Sequence, residues 1–298
     1  MIPGIVLPPS SPRNPFPSRI KGQGTKFAGP LSSSTGACKL ALMDWTDDGI
    51  VLSAKKHGET SAIVTLLTPG HGRHLGLVRG GAGKRARGLL QPGNLLKARW
   101  QARLSEHLGT FRCELTAALA APVLRAPLKL AGLSAACAMA EGALPERQPH
   151  RPVFEGLLAL IRGLDDEDWP SAYVKWELGL LAELGFGLDL SACAATGQND
   201  QLAYVSPKTG RAVSLAAAEP YKKSLLALPD FLLRPGAAGP PDDVIQGLKL
   251  TGYFLEKNVF QHAQKGLPAA RNRLTDRLRA GSGRSRQPSL DGKSEKRP

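Results

Sequence analysis

The chain has 298 residues, of which 42% are hydrophobic and 21% charged, and it carries a net charge of +14. That composition supports packed cores and excludes a wholly disordered chain, and no apolar run approaches the ~20 residues that a membrane-spanning helix needs. Four scattered cysteines (Cys38, Cys113, Cys137, Cys193) with no C-x-x-C pair exclude a disulfide-dense secreted scaffold, argue against a four-cysteine zinc site and fit a reducing cytoplasm.

The positive charge is segregated. Residues 1–42 hold five Lys/Arg and no acid, residues 43–119 eleven against six, residues 120–264 thirteen against sixteen, and residues 265–298 ten against three. A basic first half and basic ends around a mildly acidic middle point to a localised polyanion-binding face. Residues 1–42 are dense in Pro, Ser and Gly and have no compact apolar h-region, so a secretory signal is not supported. Two readings stay open for them: a disordered basic tail, or an over-extended start with Met43 as the initiator.

From Gly49 the signals are strands and turns. Ile50–Leu52, Ala62–Leu67 and Leu75–Val78 are apolar runs separated by His57-Gly58-Glu59 and by Thr68-Pro69-Gly70-His71-Gly72. Leu96, Ala98, Trp100, Ala102 and Leu104 alternate with Lys97, Arg99, Gln101 and Arg103. Phe111, Cys113, Leu115, Ala117 and Leu119 alternate with Arg112, Glu114 and Thr116. Period-two alternation requires one apolar face and one polar face. Five short strands in about 70 residues suit a Greek-key barrel of the OB type. Between Glu59 and Glu106 there is no acid, but there are eight cations: Arg73, Arg79, Lys84, Arg85, Arg87, Lys97, Arg99 and Arg103. These eight form the expected nucleic-acid stripe, with Lys97, Arg99 and Arg103 on one strand face and Arg79, Lys84, Arg85 and Arg87 in or beside Gly80-Gly81-Ala82-Gly83. Such a stripe neutralises phosphates without reading sequence. A merely solvated face is the competing reading, and the missing acids weigh against it. Trp100 falls in the apolar register, so backbone tracking is favoured over base stacking.

Beyond Pro122 the pattern turns helical. Leu128–Leu144 and Val153–Leu164 predict helices. Asp165–Asp168 ahead of Trp169-Pro170 reads as a helix start, and Trp169, Tyr173, Trp176, Leu180, Leu181 and Leu184 fall on one stripe, read as core rather than a ligand box. A last long helix is expected over Asp242–Gln264, with a weaker one at 268–280. Residues 186–215 interrupt the helices with two short β segments. The expected division is 1–42 as tail, 43–120 as an OB-fold DNA-binding domain, 121–280 as a helical domain with the 186–215 insert, and 281–298 as a disordered basic tail.

Catalytic signatures fail. The Gly80–Lys84 loop has Val78 where a Walker loop needs its first glycine and Arg85 where it needs Ser/Thr; its match to G-x-G-x-x-G is only approximate, and there is no Gly-x-Ser-x-Gly elbow. His71 and His74 lie three apart in a turn without nearby carboxylates or thiols, so phosphate contact or solvent exposure is preferred to metal ligation. The chain is read as a non-enzyme without cofactor.

The opening Asp48-Gly49-Ile50-Val51-Leu52, the turn element Gly58-Glu59-Thr60-Ser61, and above all the insert with Cys193-x-x-Thr196-Gly197 and Tyr204-Val205-Ser206-Pro207-Lys208-x-Gly210-Arg211-Ala212-Val213 resemble the RecO DNA repair and recombination mediator family over roughly residues 45–275. The resemblance implies an α+β protein, a five-stranded OB-type barrel followed by a helical domain with a small β-like insert. It implies binding of single- and double-stranded DNA, annealing of complementary strands, and recombinase loading with a RecR-type partner and the tail of single-strand binding protein, in the cytoplasm at the nucleoid. An RNA-binding OB protein and a protein–protein adaptor are the alternatives. Many family members hold zinc through four cysteines in the insert. Here Cys193 stands alone, with Thr196 in place of the second cysteine and the later pair absent around Ser214, so the region reads as a degenerate zinc finger without metal.

Overall fold

The computed structural model describes residues 43–261 and 266–284. The expectations for 1–42 and for the last residues of the chain lie outside these, as does the end of the helix expected to reach Gln264.

Five strands close a barrel: β1 (Met43–His57), β2 (Ser61–Thr68), β3 (Gly72–Val78), β4 (Leu95–Ala102) and β5 (Thr110–Ala117), in the order β1-β2-β3-β5-β4, with β4 pairing back onto β1. The last closure is a short parallel contact between β3 and β5 at Leu77 and Thr110. This is the OB order expected from the sequence. The alternating strands β4 and β5 send Leu96, Ala98, Trp100 and Phe111 into the barrel, with Val51, Val64, Leu66 and Leu90. The unbroken apolar runs of β1 and β2 have a different cause. Their second face, carrying Ile50, Leu52 and Leu67, is buried against the helical half, and a sheet covered on both sides needs apolar residues throughout.

A six-residue helix, α1 (Lys84–Leu89), lies between β3 and β4. Ala86 and Leu89 pack on the barrel core, and Leu90 is buried behind them. Asn94, 3% exposed, secures this end: its Nδ2 donates to the Gly88 and Leu89 carbonyls (3.0 and 3.1 Å), and its Oδ1 accepts from the Ala120 amide at 3.2 Å.

The helical half comprises α2 (Pro127–Ala143), α3 (Arg151–Arg162), α4 (Trp169–Glu183), α6 (Pro241–Leu255) and α7 (Ala269–Arg284). Helix α6 continues into a π-helical turn at Glu256–Phe260, and α7 runs past residue 281, where the sequence places a tail. The stripe of Trp169, Tyr173, Trp176, Leu180 and Leu181 on α4 is core. The same helix buries Glu177 completely. Its carboxylate accepts from Arg271 of α7 (3.0 and 3.1 Å) and from the Thr251 hydroxyl of α6, so one ion pair ties three helices together.

The two halves meet in a polar seam. Ser53 and Thr65 donate to Glu141 on α2 (2.6 and 3.1 Å), Arg73 Nε donates to the Leu144 carbonyl (2.7 Å), and the Arg147 amide donates to the Arg73 carbonyl (2.8 Å). Gly72 sits in this seam at φ +64°, and a Cβ there would lie 1.9 Å from the Gln148 carbonyl oxygen.

The insert forms a three-stranded sheet, β6 (Leu202–Val205), β7 (Ala212–Ser214) and β8 (Leu226–Ala227), in the order β7-β6-β8, with a one-turn helix α5 (Leu215–Ala218) after β7. The third strand is not signalled in the sequence. Two residues recruited by β6 carry no periodicity of their own.

Candidate nucleic-acid interface

Seven of the eight cations of the expected stripe separate into three groups, and Arg103 stands apart. The first is the outer face of β1, β4 and β5. Strand β1 begins at Met43, seven residues before the apolar run that signals it, and register places Asp48 beside Lys97 and Thr46 beside Arg99. Lys97 Nζ reaches Asp48 at 3.3 Å, and Arg99 grips Asp44 through both Nε (2.9 Å) and Nη2. The pairing holds the Asp44 carboxyl below the usual carboxylate range through the Arg99 hydrogen bonds, and raises Arg99 in turn. Glu114 lies opposite Lys97 on the other side, while Arg112 is opposite Arg99. An acid-free stretch in sequence is thus a charge-mixed face in space. Cross-strand neighbours about 4.5–5.5 Å apart set the local field, whatever their sequence separation. The sequence signal for this strand is masked: Asp44, Thr46 and Asp48 share the polar face, but Asp47, which turns to His71 on the other face, breaks the alternation that Trp45 begins.

The second group is Arg73, whose side chain is 17% exposed. Its guanidinium is committed to the Leu144 carbonyl and to Glu146 (3.5 Å), so it belongs to the seam and is withdrawn from the stripe. Arg103 is exposed but lies beyond the end of β4, so the alternation of that strand does not reach it.

The third group is Arg79, Lys84, Arg85 and Arg87. Arg79 follows directly after β3, and the other three lie on the solvent side of α1, because Ala86 and Leu89 take the barrel side. All four are exposed, and none makes an ion pair among the described residues; Arg87 Nε donates to the Ala82 carbonyl at 3.1 Å. The Ala82 amide donates to Thr60 O at 2.9 Å, fastening this connection to the tip of the β1–β2 hairpin. That hairpin contributes two cations outside the expected set, Lys55 and Lys56, both exposed. Lys56 is opposite Ala62, which is opposite Val78, the residue before Arg79. One end of the barrel therefore gathers six cations, with Glu59 at the hairpin tip as the nearby acid. No sequence periodicity links Lys55 and Lys56 to Arg79. Strand pairing does.

Among the described residues no Trp, Tyr or Phe side chain is free to stack at this end; the one ring it offers is the exposed imidazole of His57, next to Lys56 at the end of β1. Trp100 and Phe111 are buried, with the Trp100 indole donating to the Leu108 carbonyl at 3.0 Å. Trp45 is half-buried between His71, stacked at 4.0 Å, and Trp100. His71 Nδ1 lies 3.2 Å from Asp47, and His74 is buried against Trp45, Trp100 and Phe111. Burial, with the Arg147 and His71 charges, pushes the His74 imidazole down to about 4, which keeps it neutral. Both histidines are structural parts of the barrel.

Family models for the recombination protein O N-terminal domain and C-terminal domain match residues 43–118 and 124–268. The DNA repair protein RecO of Rhodospirillum centenum is 58% identical over 239 residues, covering 80% of this chain and 95% of that protein. The DNA repair protein RecO of Rhodospirillum rubrum is 50% identical over 82% of this chain and 100% of its own length, and that of Phenylobacterium zucineum 52% identical over 79% and 98%.

Proposed function

The chain belongs to the RecO family, and from that premise we propose that it acts in DNA repair by holding DNA strands through their phosphates at the barrel end built by α1 and the β1–β2 hairpin. The observation that carries this reading is the contrast between two faces. Lys97 and Arg99 are neutralised by Asp48 and Asp44. Lys55, Lys56, Arg79, Lys84, Arg85 and Arg87 have no carboxylate partner among the described residues. Only uncompensated cations release counterions when a polyanion arrives.

Rings are scarce at this end, with the exposed His57 imidazole as the one among the described residues, and that deepens the reading. Phosphate contacts position a strand without reading it. Its bases then stay turned outward and unpaired, the state in which a complementary strand can find them. Close cations also lower the repulsion between two backbones. Annealing follows from these two effects without a bond being made or broken, so the role is that of a mediator rather than an enzyme. In this reading residues 43–120 are the DNA-binding domain and residues 121–280 serve partner docking, with the protein working in the cytoplasm at the nucleoid.

A second surface supports the docking role. Helices α2 and α7 border a cleft lined by Pro127, Leu130, Ala131, Ser134, Ala270, Arg273 and Arg277, with Arg277 donating to the Pro127 carbonyl at 2.7 Å. A mixed lining with two arginines suits the acidic, hydrophobic tail of single-strand binding protein, and recombinase loading with a RecR-type partner would build on that docking.

The test is annealing of complementary oligonucleotides, bare and coated with single-strand binding protein. Lys84→Glu with Arg85→Glu should abolish annealing of bare strands. Arg273→Glu should spare bare strands and lose the coated ones. Annealing unaffected by the first variant refutes the DNA site, and preferential binding of RNA over DNA of equal length would favour an RNA-binding role.

A further inference from the structure

The RecO resemblance brings with it a structural zinc in the 186–215 insert, and the donors this chain offers there do not fit one. Structural zinc sites are closed by four ligands drawn from thiolates, imidazoles and carboxylates. The described residues contain no group of three or more His, Cys, Asp or Glu side chains placed to hold a metal. What converges instead is one thiol, Cys193, and two hydroxyls, Thr196 and Ser214, which zinc takes poorly in place of thiolates.

The arrangement around the sulfur is nevertheless that of a metal knuckle. Cys193 is completely buried. The chain after it turns back tightly: the Gly197 amide donates to the Cys193 carbonyl (2.8 Å), with Gly197 at φ +74°, and the Cys193 amide donates to Gln198 O (2.6 Å). The Ser214 amide donates to Cys193 Sγ at 3.3 Å, and the Ser214 hydroxyl shares a hydrogen bond with the thiol at 3.5 Å. The Thr196 hydroxyl and the Ala195 amide act on the sulfur in the same direction, favouring its charged form. Two sulfurs held 2.3 Å from one tetrahedral zinc would be ~3.8 Å apart. The 3.5 Å between Ser214 Oγ and Cys193 Sγ nearly matches that spacing. The two turns therefore approach each other as they would around an ion, with side-chain atoms in direct contact.

We propose that the hydrogen-bonded Cys193 thiol does the work of the metal in this lobe, clamping the 193–197 turn to the start of α5 through Ser214. Burial pushes the pKa of such a thiol up, but the hydrogen bonds from Ser214, with Thr196 and the Ala195 amide, outweigh it and bring it down to about 6. The clamp matters beyond the insert because Ala194 N–H is bonded to Ala212 O and Ala212 N–H to Asp189 O (both 2.8 Å), which sets the strand that leads into Ser214.

The experiment uses the full chain under reductant. Amide hydrogen exchange is followed over 189–214, with and without a chelator, alongside zinc content by mass spectrometry. The wild type should carry no stoichiometric zinc and keep the same protection in chelator. Cys193→Ala should speed exchange in this segment at least about tenfold, and Cys193→Ser, which keeps a polar atom in place, should recover part of it. If Cys193→Ala does not fold, Ser214→Ala is read in the same way. Thr196→Cys with Ser214→Cys places three thiols around the same point. That variant should take up one Co(II) with a thiolate charge-transfer band, where the wild type shows none. Stoichiometric zinc in the wild type, chelator-sensitive protection, unchanged exchange in the alanine variants, or a folded double-cysteine variant that binds no Co(II) would each overturn the proposal.

Discussion

Replacing Lys84, Arg85 and Arg87 together with alanine removes three cations from α1 without touching Ala86 and Leu89, which hold that helix to the barrel. Each phosphate neutralised on a single strand contributes about 0.7 to the steepness of log K against log salt, so three lost contacts should flatten the slope by about 2. Affinity should then fall about a hundredfold at 0.1 M salt and converge on the wild type near 1 M. The matched control is Asp44→Asn with Arg99→Gln, which removes an ion pair on the outer face with no change of net charge. It should leave the slope as it is. The assay is fluorescence anisotropy with a labelled oligonucleotide at a series of salt concentrations. An unchanged slope in the triple variant, or an equal flattening in the control, would refute the reasoning that only uncompensated cations at this end bind the backbone.

Three stability predictions are independent of DNA. His74 is held neutral down to about pH 4 in the fold against an ordinary value of 6.5, so the unfolded chain takes up its proton first as pH falls. Stability from this group is complete above pH 6.5 and is lost towards pH 4, by about 3 kcal/mol; urea unfolding of His74→Phe at pH 7 and pH 4.5 should show a smaller acid loss than the wild type. Glu177→Gln leaves Arg271 charged and buried without its counter-ion and should cost about 3–5 kcal/mol, whereas Glu177→Met with Arg271→Met should cost far less; comparing their denaturation midpoints decides this. Gly72→Ala meets the Gln148 carbonyl at a backbone angle that disfavours a side chain and should destabilise the protein by about 1–3 kcal/mol, with faster hydrogen exchange at the Arg147 amide as its local sign.

Much of this architecture is legible in one dimension because its physics is local. Alternation along Leu96–Ala102 follows from the pleat, and the apolar stripe of α4 from the helical repeat, so both the barrel strands and the core helices can be read directly. Recognition of the family rests on the insert from Phe186 to Ser214, where short pieces recur in order. Glu177 escapes such reading, since its partner Arg271 is 94 residues away and a single acid in an apolar stripe carries no periodic signal.

Along the chain, charge composition determined that this protein carries an excess of cations in its first half, and the residue pattern determined that they ride on a small barrel. Which of them face a ligand uncompensated was decided only by tertiary structure. Electrostatic compensation depends on distance in space. Strand register brought Asp44 and Asp48 across to Arg99 and Lys97, the seam drew in Arg73, and the hairpin added Lys55 and Lys56 beside α1.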